Sequence, residues 1–293
     1  MLKEFLKALL YGILEGVTEW LPVSSTGHLI LLADSLPFAF SSDPIFLSEF
    51  WEFFEVVVQL GAILALPCLF FERIFPPKKG DSSLQKAAWR SLWRRVLLAS
   101  IPAGVAGILI DRLLEHLTGK DLQAWLYRPW IVASMLILYG VAFLFLDSDR
   151  RASVRSLEEI TDRKAFAVGA FQALSIIPGT SRSGSTILGA SWIGIDRTPA
   201  AEFSFFLAIP ALCGASFVKA IGFFGFLQES GSRMPRVGYW LLLVGCLASF
   251  FVSLVSIRFL LNFVKRHSFR AFGLYRIALG LFVLLHLIWE GGF

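Results

Sequence analysis

The chain has 293 residues, 56% of them hydrophobic and 17% charged, with a formal net charge of +5 and a mean hydropathy of +0.68. A soluble domain cannot cover its surface with so few polar groups, so the composition excludes a soluble enzyme and places the chain in a bilayer. The basic residues sit in short loops between apolar stretches, which excludes a nucleic-acid partner and makes them markers of membrane orientation.

At the N-terminus Lys3 and Lys7 precede an apolar stretch in the manner of a signal peptide. Glu15 and Glu19 interrupt it and no small-residue cleavage site follows, so the segment is expected to be retained. The two glutamates are spaced i, i+4, which sets both carboxylates on one face of an otherwise apolar helix. A charge at bilayer depth costs about 2.5 to 3.5 kcal/mol, so each needs a partner or an aqueous cavity. A divalent cation, Mg²⁺ or Ca²⁺, suits such hard oxygen ligands, with substrate phosphate completing its shell. The alternative is a solvated pair on an amphipathic interfacial helix.

The run Pro22-Val-Ser-Ser-Thr-Gly-His28 then breaks the helix. The hydroxyls of Ser24, Ser25 and Thr26 and the freed backbone amides suit an anion, and His28 can serve as nucleophile, base or acid. Taken alone, the same run reads as an ordinary capping turn. Charge-free stretches follow at Val56 to Phe71, Val96 to Ile110, Pro129 to Leu146, Phe203 to Val218 and Val237 to Ile257, each near the length that crosses about 30 Å of hydrocarbon as a helix. Gly104 and Gly107 permit close helix contact, either within the chain or in a homodimer. Cys68, Cys213 and Cys246 lie in apolar stretches and suggest neither disulfides nor zinc.

Loop charge sets a topology. Arg73, Lys78, Lys79, Lys86, Arg90, Arg94 and Arg95 load one loop, Arg150, Arg151, Arg155, Arg163 and Lys164 a second, and Lys265, Arg266 and Arg270 a third; all three are expected on the cytoplasmic side. Lys3 and Lys7 then lie outside, against the rule. The segment Gly12 to Ala33 resembles Gly169 to Ala190, with an offset of 156 from Pro22 to Pro178 and from Ser25 to Ser181. The predicted fold is all-α: a polytopic membrane helix bundle of two inverted repeats, about 1–147 and 165–289, joined by a cytoplasmic loop 148–164. Each repeat contains a broken re-entrant helix pair, and the two broken turns meet near the midplane.

The second turn, Pro178-Gly-Thr-Ser-Arg-Ser-Gly-Ser-Thr186, sets Arg182 among Gly179, Ser181, Ser183 and Thr186 in an apolar segment. A guanidinium there is costly and pairs best with phosphate through its planar fork, although Glu15 or Glu19 could also neutralise it. Carboxylates, a histidine and an arginine converging from two broken helices describe a phosphate-handling site with room for a metal.

These residues carry a resemblance. Glu15-x-x-x-Glu19, Leu21 to His28 and Pro178 to Thr186 resemble the two signature motifs of the undecaprenyl-diphosphate phosphatases, also called bacitracin-resistance proteins, and the likeness extends to Phe54 to Ala65, Ala201 to Pro210 and Tyr275-Arg276. The stretch Phe38 to Trp51 is longer than the family pattern. The resemblance implies hydrolysis of undecaprenyl diphosphate to undecaprenyl phosphate, which recycles the lipid carrier of peptidoglycan synthesis. It further implies a multi-pass protein of the bacterial cytoplasmic membrane with its active site open to the outer side. Glu19, Ser25, His28 and Arg182 are the implied catalytic residues, Ser24, Thr26, Gly179, Ser181, Ser183 and Thr186 bind the polyprenyl diphosphate, and Glu15 with Glu19 holds the metal. Inverted repeats with broken helices are also transporter architecture, so a polyprenyl-phosphate flippase is the alternative. A carrier needs neither metal nor His28 for turnover.

Overall fold

The computed structural model describes residues 1–119, 125, 126, 128–145 and 152–290; Arg150 and Arg151 of the second basic loop lie outside them. In chain order the helices are α1 (Leu2–Thr18), α2 (Ser25–Ser35), α3 (Pro44–Ile63), α4 (Ala65–Leu69), α5 (Phe71–Ile74), α6 (Ser83–Thr118), α7 (Pro129–Phe145), α8 (Asp162–Ala173), α9 (Arg182–Trp192), α10 (Arg197–Ser230), α11 (Arg236–Val264) and α12 (Arg270–Glu290). Among the described residues no strand forms, and Val154 makes a single bridge to Ile195. The predicted all-α class holds, each helix satisfying its own backbone groups where water cannot.

Among the described residues five segments are long and apolar enough to cross a membrane: Pro44–Leu69, Ser83–Thr118, Arg197–Ser230, Arg236–Val264 and Arg270–Trp289. Three of them contain predicted stretches, and Pro44–Leu69 overlaps a fourth, Val56 to Phe71. The fifth was not predicted from charge-free runs, because Arg276 interrupts it. Pro129–Phe145 forms a shorter apolar helix. Caps, rather than local charge, set the helix ends, so α6 extends well past Val96 to Ile110. It begins in a capping box between Ser82 and Gln85 and ends at left-handed Gly119, the residue type that terminates a helix without steric cost.

The chain divides into two compact units built from interleaved segments. The first comprises Met1–Trp20, His28–Phe75 and Ile209–Arg258. Its core is aromatic: the Tyr11 ring lies 4.7 Å from that of Trp51, Phe38 lies 5.0 Å from Phe54, and Phe53 stacks on Phe223 at 4.6 Å. Edge-to-face and offset contacts of this kind add to the stabilisation from burial alone. The long stretch Phe38 to Trp51 thereby finds its place, its first half folding onto this core and its second forming the start of α3. Three polar contacts pin it to α1. Glu4 accepts from the Ala39 amide at 3.0 Å, Lys7 donates to the Pro37 carbonyl at 2.5 Å, and Tyr11 donates to the Leu36 carbonyl at 2.7 Å. Lys7 is also paired with Glu4 at 2.9 Å, so this lysine is engaged locally and is a weak reporter of orientation.

The second unit comprises Leu21–Gly27 and the described residues of Pro76–Ala208 and Phe259–Phe293. Here α12 packs along α7 and α6 along α8, and small residues allow the backbones to approach. A Cβ on Gly140 would lie 2.7 Å from Ile277 and 2.8 Å from the Gly273 carbonyl, and one on Gly280 would lie 2.8 Å from the Ala133 carbonyl. Close approach replaces the hydrophobic drive that lipid cannot provide between helices. By contrast, apart from their own helix backbone, nothing among the described residues lies within 4 Å of a Cβ added at Gly104 or Gly107. Gly140→Leu is therefore expected to destabilise the detergent-solubilised protein by about 2 kcal/mol or more through overpacking. Gly107→Leu should melt with the wild type, and scanning fluorimetry of the two variants checks this.

Candidate active site

Two helix breaks build the site of the second unit. In the first, the chain leaves α1, turns at Leu21 to Ser24 and enters α2 at Ser25; in the second it leaves α8 through a short 3₁₀ turn, Leu174–Ile176, and enters α9 at Arg182. Ser24 and Ser181 both have positive φ, 76° and 68°. That region disfavours any residue with a Cβ and costs about 1 to 3 kcal/mol, a strain found mostly at ligand-binding and catalytic positions. In both turns the strained serine caps the helix after it: the Gly27 amide donates to Ser24 Oγ at 3.3 Å, and the Gly184 amide to Ser181 Oγ at 3.0 Å.

These features correct the repeat register. The paired strained serines (Ser24 and Ser181), capped glycines (Gly27 and Gly184), helix starts (Ser25 and Arg182) and helix ends (Ser35 and Trp192) share an offset of 157. The prolines keep 156, so the second copy holds one extra residue between proline and cap. Gly179 sits in that interval with φ 90°, and a Cβ there would come within 2.5 Å of the Val132 carbonyl. Ser25 thus corresponds to Arg182, not to Ser181.

Arg276 of α12 binds the turns together. Its side chain is fully buried, and its guanidinium donates to the carbonyls of Pro22 at 3.1 Å, Gly179 at 2.7 Å and Thr180 at 3.0 Å. It also lies 5.4 Å from the centre of the Tyr139 ring, within range of a cation–π contact. The turns touch directly as well, Ser183 Oγ donating to the Leu21 carbonyl at 3.3 Å. The sequence names Arg276 only as part of a family likeness; the usable signal was a lone arginine inside an otherwise apolar span.

Arg182 is anchored from α10. Its Nη1 donates to the Ser204 carbonyl at 2.7 Å and to Ser204 Oγ at 3.3 Å, and Ser204 Oγ lies 2.6 Å from Thr186 Oγ1. Ser204 therefore belongs to the site, although a serine in an apolar helix carries no distinctive sequence signal. Ser183 and Thr186 are buried, Ser25 is nearly so, and Thr26 is partly exposed. Gly179, Ser181, Arg182, Ser183, Thr186, Ser24, Ser25 and Thr26 are brought into this one cradle of two helix N-termini, where backbone amides and the helix dipole favour an anion.

Glu15, Glu19 and His28 belong to the first unit. Glu15 is fully buried and Glu19 is 5% exposed; the Glu19 amide donates to the Glu15 carbonyl at 2.9 Å, so helical geometry runs through both and their carboxylates share a face. His28 lies in the first turn of α2, partly buried. Among the described residues no three His, Cys, Asp or Glu side chains converge as a metal cage. Two buried hard oxygen donors one turn apart fit Mg²⁺ or Ca²⁺, which take further oxygens from phosphate and water.

A family model described as bacitracin resistance protein BacA matches residues 8–282. A protein of Enterococcus faecalis named undecaprenyl-diphosphatase is 43% identical over 288 residues, covering 96% of each chain. Proteins of the same name are 42% identical in Lactococcus lactis subsp. cremoris, over 97% of each chain, and in Acetivibrio thermocellus, over 97% of this chain and 98% of that one.

Replacing Arg276 by Met keeps the volume and removes three donors, at a cost of about 1 to 3 kcal/mol for each buried carbonyl left unpaired. Arg276→Met is expected to lower the melting temperature and to speed hydrogen exchange at the Gly27 and Gly184 amides by at least about tenfold, as one lost 1.4 kcal/mol would. Unchanged exchange at both amides would mean the turns hold without it.

Proposed function

This chain belongs to the BacA family of bacitracin resistance proteins, and we propose that it is an undecaprenyl-diphosphatase: it hydrolyses undecaprenyl diphosphate to undecaprenyl phosphate and inorganic phosphate. The observation that carries this reading is the pair of strained, serine-capped helix N-termini tied by Arg276, with Arg182 standing at the first position of one of them. Such a cradle suits the charged end of a polyprenyl diphosphate, and the relatives named for hydrolysis favour a phosphatase over a lipid carrier.

The protein is a multi-pass membrane protein. Its proposed setting is the bacterial cytoplasmic membrane with the active site open to the outer side, where the released phosphate carrier re-enters cell-wall synthesis. The open faces at Gly104 and Gly107 support contact with a second copy, and homodimerisation is part of the same proposal.

Ser25 opens α2 and His28 follows at i+3, on neighbouring positions of one helix face. In the proposed reaction His28 takes the proton of the Ser25 hydroxyl as its oxygen bonds to the terminal phosphorus, and the bridging P–O bond breaks with undecaprenyl phosphate leaving as the anion. His28 gives that proton to solvent, takes another from the attacking water, and returns it to Ser25 as the phosphoserine bond breaks. Arg182, fixed by Ser204, and the amides opening α2 and α9 stabilise charge on the transferring phosphoryl group. Glu15 and Glu19 would hold Mg²⁺ or Ca²⁺, which when bound neutralises the diphosphate oxygens.

The test is phosphate release from undecaprenyl or farnesyl diphosphate by detergent-purified protein, with and without EDTA. Release that needs the metal and falls at least about 100-fold in Arg182→Ala and Glu19→Gln is expected, the scale of losing one electrostatic stabiliser. No release from folded protein under any metal would favour the flippase. Acid quench with labelled substrate should trap phosphoserine in the wild type and none in Ser25→Ala; an absent adduct in both would mean direct attack by water.

A further inference from the structure

In the first unit the face of α1 that bears the two glutamates is packed against α11. Gly12, Glu15, Gly16 and Glu19 are spaced i, i+3, i+4 and i+7, so they form one stripe. A Cβ on Gly12 would lie 2.8 Å from Ala248 Cβ, and one on Gly16 would lie 2.7 Å from the Ser249 carbonyl and 2.8 Å from Val252 Cβ. Four residues along α1 thus correspond to four along α11, so the two helices run parallel. Ser249 falls at the level of Glu15 and Gly16, and Ser253 at the level of Glu19. Ser253 is fully buried and donates to the Gly16 carbonyl at 3.5 Å.

Ser249 differs from Ser100, Ser134 and Ser256 of the membrane helices and shares with Ser191 of α9 a hydroxyl without a partner among the described residues. A serine in an apolar helix ordinarily satisfies its hydroxyl at the carbonyl four residues back, as Ser256 does at Val252 (3.0 Å), Ser100 at Val96 (2.8 Å) and Ser134 at Trp130 (2.8 Å). Ser249 is fully buried, and its Oγ has no hydrogen-bond partner among the described residues. A buried hydroxyl without a partner costs about 1 to 3 kcal/mol. That cost is borne on the helix face that meets the carboxylate stripe.

We propose that Ser249 is a positioning residue of the carboxylate site: its hydroxyl engages a water of the hydrated divalent cation held by Glu15 and Glu19. This rests on the cation reading of those glutamates. The neighbouring Ser253 is held by the Gly16 carbonyl on the same face of α11.

The experiment measures Mn²⁺ binding to purified full-length protein by electron paramagnetic resonance, with a methylene-bridged analogue of farnesyl diphosphate present, in wild type, Ser249→Ala and Ser256→Ala. Loss of a group that orients a metal's surroundings weakens the ion by about 10-fold or more. Ser249→Ala is expected to show that loss while melting no lower than wild type, since a buried orphan hydroxyl has been removed; Ser256→Ala should bind as wild type does. Wild-type binding with an unchanged Ser249→Ala affinity overturns the role of Ser249 and leaves the glutamates as the site. Absence of Mn²⁺ binding in the wild type, with phosphate release insensitive to EDTA, overturns the cation reading itself and Ser249's role with it. A fall in both affinity and melting temperature for Ser249→Ala would assign the serine to packing instead.

Discussion

A guanidinium enclosed in a membrane helix is tolerable only if its donors are taken up, and a helix broken in the same medium is tolerable only if its freed carbonyls find donors. Arg276 and the two turns answer each other's need. The turns at Pro22 and after Pro178 leave carbonyls without helical partners, and three of these accept from one buried side chain. Each partner alone would be strongly unfavourable, so the two must form together, and the geometry of the anion cradle follows from that dependence. The rigid fork of arginine is what allows one residue to serve carbonyls from two separate segments.

The two turns share one backbone device and differ in the side chains they present. In the structural register Ser25 stands where Arg182 stands, and His28 where Ser185 stands. The first copy presents a hydroxyl and an imidazole at the start of its helix, and the second presents a fixed cation there. Ser185 donates to the Tyr139 hydroxyl at 3.2 Å instead, a structural contact beside Arg276. Ser24 and Ser181 both supply the cap and the sharp entry into the helix that follows.

Close backbone approach recurs wherever a helix must hold a polar group in lipid. Gly140, Gly273 and Gly280 bring α12 against α7 and so place Arg276, and Gly12 and Gly16 bring α11 against the glutamate stripe. Small residues do this because van der Waals contact is what remains to hold helices together once both are already out of water. The aromatic core around Phe38, Phe50 and Phe54 instead anchors an extended connection that has no helix of its own.

Composition placed the chain in a bilayer, and charge-free runs near the length of a spanning helix made it helical rather than a closed barrel. The motifs pointed to the candidate residues of the two turns and of α1, since a costly arginine, paired glutamates and hydroxyl-rich breaks are conspicuous against apolar surroundings. What the sequence concealed was every polar residue whose role depends on a distant partner. Arg276 hid a membrane span by breaking its charge-free run, Ser204 looked like any helical serine, and the one-residue shift between the two turns could not be seen by aligning prolines. Tertiary structure decided these because hydrogen bonds to backbone carbonyls leave no trace in the residue that accepts them, and because the register of a turn is set by its φ angles and caps rather than by its letters.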